Sequence, residues 1–209
     1  MTRVLIIDSA ATGEASVSRK LTAKFAERLR QHNPAVRINH RDIGAAPIPH
    51  LTEATVGAIR GGDAETEEAR AAVELSDMLI AEIKEADVIV IGAPMYNFGI
   101  PSTLKAWFDH VLRAGITFRY SAEGPEGLVK GKHGIVIESR AGLYSEGPAA
   151  ALDSQEPHLR TMLGFMGIED LTFVRAERLA FGPDAASAAI DEAAAKLAGL
   201  AVTEWALAA

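Results

Sequence analysis

Three short runs constrain most of what this chain can fold into. Residues 4–8, 88–93 and 134–138 are rich in Val and Ile, and polar or small residues close each run. A strand with one solvated face alternates apolar and polar residues, so runs this continuous and short read as strands covered on both faces. Two weaker runs, 36–40 and 171–174, complete a set of five. Helical periodicities lie between them over 18–30, 67–85, 102–113 and 157–166. A last one spans about 185–206, where Ile190, Ala194, Leu197 and Ala201 recur on one face. Alternating strands and helices call for βαβ units, because a parallel connection needs a crossover that covers one face of the sheet. The expected fold is α/β, a doubly wound sheet of five parallel strands in the order 2-1-3-4-5, forming one domain over residues 1–209. Such sheets bind ligands beyond the carboxyl ends of their strands, at the switch point, which here means after the first, third and fourth strands.

Composition removes several classes of function. The net charge is −7 and Lys and Arg are scattered singly, so no basic stripe for nucleic acid is present. The chain has no cysteine, which excludes a disulfide framework, a thiolate metal site and a cysteine nucleophile, so redox chemistry would need a bound cofactor. No two of the six histidines sit three or four residues apart on one helix, and no metal site is expected. No stretch reaches the roughly 18 apolar residues of a membrane span. The apolar run near the start is too short for a signal peptide, so the expected location is the cytoplasm.

The loops at the strand ends carry the functional reading. After the first strand comes Asp8-Ser9-Ala10-Ala11-Thr12-Gly13-Glu14-Ala15-Ser16-Val17-Ser18, small and hydroxyl residues leading into a helix. Backbone N–H groups at a helix N-terminus, with short hydroxyls, can hold a terminal phosphate with few cations. Gly13 is the only glycine there, so the glycine-rich dinucleotide fingerprint is missing and a mononucleotide such as FMN fits better than tightly bound NAD. Ser16 read alone is equally a helix N-cap. After the third strand, Met95-Tyr96-Asn97-Phe98 supplies aromatic walls and amide groups suited to a flat heteroaromatic ring, while Trp107 and Phe108 are expected in the core. After the fourth strand comes Ser139-Arg140-Ala141-Gly142.

The spacing Pro94-x-Tyr96-Asn97-x-x-x-Pro101-x-x-Leu104-Lys105-x-x-x-Asp109 resembles the signature of flavodoxin-like NAD(P)H quinone and FMN reductases. Met95 to Phe98, followed by Arg113-Ala114-Gly115-Ile116-Thr117-Phe118-Arg119-Tyr120 and Gly124-Pro125-Glu126-Gly127-Leu128, resembles the bacterial FMN-dependent NADH azoreductases. The resemblance runs from Val4 to about Pro183. It implies that Ser9, Ser16, Val17 and Ser18 hold the FMN phosphate, that Met95, Tyr96, Asn97 and Phe98 hold the isoalloxazine, and that Ser139, Arg140, Ala141 and Gly142 line its far edge. It also implies that Tyr120, Met162 and Arg60 lie near the substrate pocket, and that two subunits form the sites of a homodimer. NADH or NADPH would reduce the bound flavin, and a quinone or azo acceptor would reoxidise it in a ping-pong sequence. No acid–base pair is expected, because the flavin carries the chemistry. Azoreductases have glycine where this chain has Ala141, and an alanine at positive φ would be strained.

Two rival readings follow from the same residues. A flavin-bound electron carrier or sensor would share the fold, but the segments 51–66 and 118–131 read as walls of a substrate pocket. A serine hydrolase built on Ser9 would need a G-x-S-x-G elbow or a late histidine, and no histidine follows His158.

Overall fold

A computed structural model describes residues 1–203 and Ala206. In chain order the elements are β1 (Arg3–Asp8), α1 (Val17–His32), β2 (Arg37–Asp42), α2 (Glu53–Ile59), α3 (Glu67–Glu85), β3 (Val88–Pro94) and α4 (Ser102–Val111). Then come β4 (Phe118–Ser121), β5 (Gly124–Gly127), β6 (His133–Ser139), α5 (Glu156–Met166), β7 (Asp170–Ala176) and α6 (Pro183–Leu200). The main sheet runs β2-β1-β3-β6-β7, all parallel, which is the expected order. Two differences concern the crossovers. The 51–66 segment contains α2, and the 118–131 segment contains an antiparallel hairpin, β4–β5, in place of an open loop. The last expected helix ends at Leu200; its stretch towards 206 crosses residues 204 and 205, which lie outside the described residues.

Alternation along the central strands sorts the core into two layers. Leu5, Ile7, Ile89, Ile91, Ala93 and Val136 pack with α3, α4 and α5, around Trp107 and Phe108. Val4, Ile6, Val88, Val90, Ile135 and Ile137 pack on the other face with α1 and α6, around Leu21, Phe25 and Leu29. The three apolar runs are buried throughout because both faces are covered, whereas β2 is a polar edge strand with a mixed exposure pattern. By the same alternation Glu138 and Arg140 continue the Val136 face, so they point under α5.

Two glycines matter for how the loops sit. A Cβ on Gly44 would lie 2.1 Å from the Ala10 carbonyl oxygen, so the chain after β2 packs tightly against the first strand-end loop. A Cβ on Gly127 would lie 2.2 Å from the Gly167 nitrogen, which is how the hairpin seats on the end of α5. Among the described residues no helix is long and apolar enough to cross a membrane, and no cluster suited to a metal ion occurs.

Candidate functional site

The three loops singled out in the sequence meet at the carboxyl end of the sheet and are tied together. The Tyr96 hydroxyl accepts a hydrogen bond from the Ala11 N–H (3.1 Å), and the Thr103 hydroxyl donates to the Ser9 carbonyl (3.0 Å). The Met95 N–H donates to the Ser139 carbonyl (2.9 Å), and the Ser154 N–H, before α5, donates to the Phe98 carbonyl (3.0 Å).

The first loop ends in a capped helix. Ser16 is the N-cap of α1, its hydroxyl accepting from the Arg19 N–H at 3.3 Å and lying 3.1 Å from the buried Ser18 hydroxyl. The N–H groups of Val17 and Ser18 open the helix and have no acceptor among the described residues, leaving two donors and two hydroxyls at the positive end of the helix dipole. Arg19 turns away from this end to form a two-nitrogen ion pair with Asp42, which holds the Asp42 carboxyl below its usual range. The Ser9 hydroxyl is fully buried and donates to the Gly92 carbonyl at 2.7 Å. The nearby histidine, His40, bonds Asp8 instead (2.7 Å), and that hydrogen bond raises its pKa. Among the described residues Ser9 has no histidine partner, which argues against the hydrolase reading.

The second loop is strained. Tyr96 and Gly99 exchange both backbone hydrogen bonds (2.9 and 3.0 Å) around a two-residue turn in which Asn97 has φ 48° and Phe98 has φ 71°. This is the backbone of a type I′ turn, which glycine normally occupies. A phenylalanine there costs about 1 kcal/mol or more. The Asn97 and Phe98 N–H groups meet no acceptor among the described residues, and Phe98 is 44% exposed. Tyr144 meets the Phe98 ring edge-on at 6.0 Å.

The third loop corrects two expectations. Ala141 does not have a positive φ, so alanine is unstrained where glycine is usual, and the Ala141 and Gly142 N–H groups have no acceptor among the described residues. Arg140 contributes nothing to the loop's exposed side: the whole residue is buried, its N–H donates to the Ala176 carbonyl, its carbonyl accepts from the Leu179 N–H, and its side chain lies beneath the loop. Its Nε donates to Gln155 (3.0 Å); its Nη1 reaches Asp153 (3.1 Å) and Glu177 (3.3 Å); its Nη2 lies 2.8 Å from Glu138. Gln155 in turn donates to the Ala93 carbonyl (2.9 Å), just before the second loop, and Glu177 accepts from the Tyr144 and Ser145 N–H groups. Arg140 thus joins the second and third loops to the start of α5. Burial pushes the Glu138 carboxyl up to about 7, helped by Glu156 and opposed by Arg140 and Arg175. Burial also pushes upward at Glu177, but hydrogen bonds from Ser145, Tyr144 and Arg140 outweigh it and lower that carboxyl.

The sequence reading did not identify Glu138, Asp153, Gln155 or Glu177. Polar residues at the end of an apolar strand or at a helix start look like ordinary termini until the fold brings them around one guanidinium. The one available signal was Glu138 itself, an acid inside a run buried on both faces.

Tyr120, Met162 and Arg60 come together, in a groove of about 610 Å³ lined also by Leu112, Phe118 and Phe165, between α2, α4, α5 and the hairpin. Tyr120 is 74% exposed at its rim. None of the residues from the three strand-end loops lines this groove.

A five-stranded sheet in this order, with a helix-capped loop, a strained turn and a third loop of free N–H groups at its carboxyl end, defines a flavodoxin-like protein. The chain belongs to that family: the sequence model for the flavodoxin-like fold matches residues 2–200. It is 51% identical over 203 residues to an FMN-dependent NADH:quinone oxidoreductase of Hyphomonas neptunium, covering 97% of each chain. Among solved structures it resembles an azoreductase from Bacillus anthracis, with TM-score 0.87, 32% identity, and 96% and 99% of the two chains covered. It also resembles an FMN-dependent NADH-azoreductase of that organism in complex with FMN, with TM-score 0.85, 27% identity, and 96% and 100% covered.

Proposed function

We propose that this chain is an FMN-dependent NADH:quinone oxidoreductase that also reduces aromatic azo compounds, working as one domain over residues 1–209. The observation that carries this reading is the set of free N–H groups on three loops around one strand-end surface, at Val17 and Ser18, at Asn97 and Phe98, and at Ala141 and Gly142. The first pair, with the Ser16 and Ser18 hydroxyls, suits a phosphate. The other two pairs face the polar edge of a flat ring, with Tyr96 and Phe98 beside it. Ser9 contributes only to the shape of the loop, since its hydroxyl and its N–H both donate to the Gly92 carbonyl and its own carbonyl accepts from Thr103.

When bound, FMN supplies the hydride chemistry that no side chain here can perform. The chain's residues hold and orient: Ser16, Val17 and Ser18 anchor one end, the Met95–Phe98 turn presents donors to the ring, and the loop from Ser139 to Gly142 covers its far edge. NADH or NADPH and the quinone or azo acceptor occupy the same open face in turn. Residues 60, 120 and 162 sit in a groove that shares no lining residue with the three loops, which supports a homodimer in which one subunit's groove closes the other's ring site. Dependence on NADH supports a cytoplasmic location.

Steady-state rates with NADH and benzoquinone both varied test the shared face. Parallel double-reciprocal lines are expected; intersecting lines would contradict a ping-pong sequence. Sedimentation velocity should give twice the mass of the chain, and a monomer that turns over at full rate would rule out the shared site.

A further inference from the structure

Two of the three nitrogens of Arg140 are satisfied without Glu138, by Gln155, Asp153 and Glu177. Glu138 is nevertheless wholly buried, and neither of its oxygens has a hydrogen bond in line, although Nη2 of Arg140 lies 2.8 Å from one and Nε of Arg175 lies 3.6 Å from the other. The charged groups facing it come from every polar neighbour. Arg140 follows its own strand, Arg175 stands on β7, and Glu156 on α5 is itself bound by Arg175 and Arg160; Asp153 and Glu177 complete the ring around Arg140. On the β3 side it meets Ala93, its apolar register partner. Arg140, Arg175 and Arg160 stand against four carboxylates here, Glu138, Asp153, Glu156 and Glu177, so an ionised Glu138 leaves one unbalanced negative charge one residue from Ser139. A neutral glutamine would fill the same space without that penalty.

We propose that Glu138 is an electrostatic positioning residue for the flavin ring: held by Arg140 beneath residues 139–142, it takes up a proton when negative charge is added above it and releases the proton when that charge leaves. The proposal rests on the assignment of residues 95–98 and 139–142 to the ring. NADH gives up a hydride, with its electron pair, and leaves as NAD⁺. The proton on Glu138 comes from water, so the net charge of the site is unchanged by the transfer. As the acceptor removes the hydride and draws its second proton from solvent, Glu138 returns its own proton to water. Glu138 touches none of the reacting atoms; it acts through the charge below the loop.

The test uses FMN-loaded wild-type protein and E138Q. The midpoint potential of the bound flavin is measured from pH 5.5 to 8.5, and infrared difference spectra are recorded on reduction. The wild type should show one extra proton in its potential–pH slope across the titration of Glu138, and a protonated-carboxyl band that appears on reduction. E138Q should lack both, with a more positive potential than the wild type at pH 8. The infrared band of the wild type decides the matter even if E138Q does not load. Identical slopes in the two proteins, or no carboxyl band in the wild type, would overturn the proposal. Ala141→Leu separates this from failure of the site assignment: a flavin whose spectrum and affinity ignore that bulk overturns the loop assignment and the proposal with it. A flavin that responds to Ala141→Leu but not to E138Q overturns the role of Glu138 alone.

Discussion

The two ends of the strand-end surface are built in opposite ways. At the first loop, donors come from the backbone and two serines, and the nearest cation, Arg19, is turned aside to Asp42. At the second and third loops, exposed groups rest on a strained turn and on a buried arginine surrounded by carboxylates. A phosphate has a fixed charge, and a helix N-terminus answers it without titratable groups. A redox ring changes its charge during turnover, and on the proposed reading the end assigned to it is the one that carries a strained turn and a buried carboxyl, Glu138, pushed up to about 7. The difference teaches that local chemistry suffices for holding, whereas tuning draws on tertiary structure.

Five variants can break or sharpen this comparison. Arg140→Ala should have the largest effect, a loss of about 3–5 kcal/mol in denaturant unfolding, because it strands Glu138, Asp153 and Glu177 without their shared cation. Ser16→Ala, its counterpart at the other end, removes a cap worth about 1 kcal/mol; equal losses would erase the contrast. Glu138→Gln comes next, and its effect depends on pH. A carboxyl raised to about 7 on folding contributes stability below its ordinary range and loses it as pH climbs to about 7. The glutamine variant should therefore match the wild type near pH 5 and exceed it at pH 8.5 by up to roughly 3 kcal/mol. A constant difference at both values would mean that Glu138 does not titrate in this range.

The double change Ser16→Ala with Ser18→Ala should weaken FMN about tenfold in a fluorescence titration, a loss near 1.4 kcal/mol, while leaving the bound ring's absorption bands in place. Unchanged affinity would remove the phosphate from this helix end. Phe98→Gly should have the smallest effect, raising apoprotein stability by about 1 kcal/mol through relief of the positive φ. A loss of stability would show that the Phe98–Tyr144 contact outweighs the strain.

Much of the fold was legible because the sheet writes itself in burial. Residues 4–8, 88–93 and 134–138 are covered on both faces, which marks them as strands, while the two weaker runs and the helical periodicities between them supply the count of five and the crossovers that favour the observed order. The β4–β5 hairpin was missed because Gly124-Pro125-Glu126-Gly127 has turn composition, and the Arg119–Glu126 ion pair that ties the two strands is visible only once they are in register. The first loop was legible too, since helix capping is local chemistry. The role of Arg140 was not: its partners come from three stretches of chain, at 138, at 153–155 and at 177, and nothing local says that its side chain points inward. The suspected strain at Ala141 is absent. The strain lies at Asn97 and Phe98, where two residues that look ordinary in sequence occupy a glycine-like turn.

The most direct test of the central claim is the visible spectrum of the FMN-loaded protein under anaerobic conditions, with NADH added first and benzoquinone second. The expected result is bleaching of the flavin bands by NADH and their return with quinone, each complete before the other reagent is present. Flavin that binds yet stays oxidised with both NADH and NADPH would contradict the oxidoreductase reading in favour of a carrier or sensor. Failure to retain FMN would contradict the site itself.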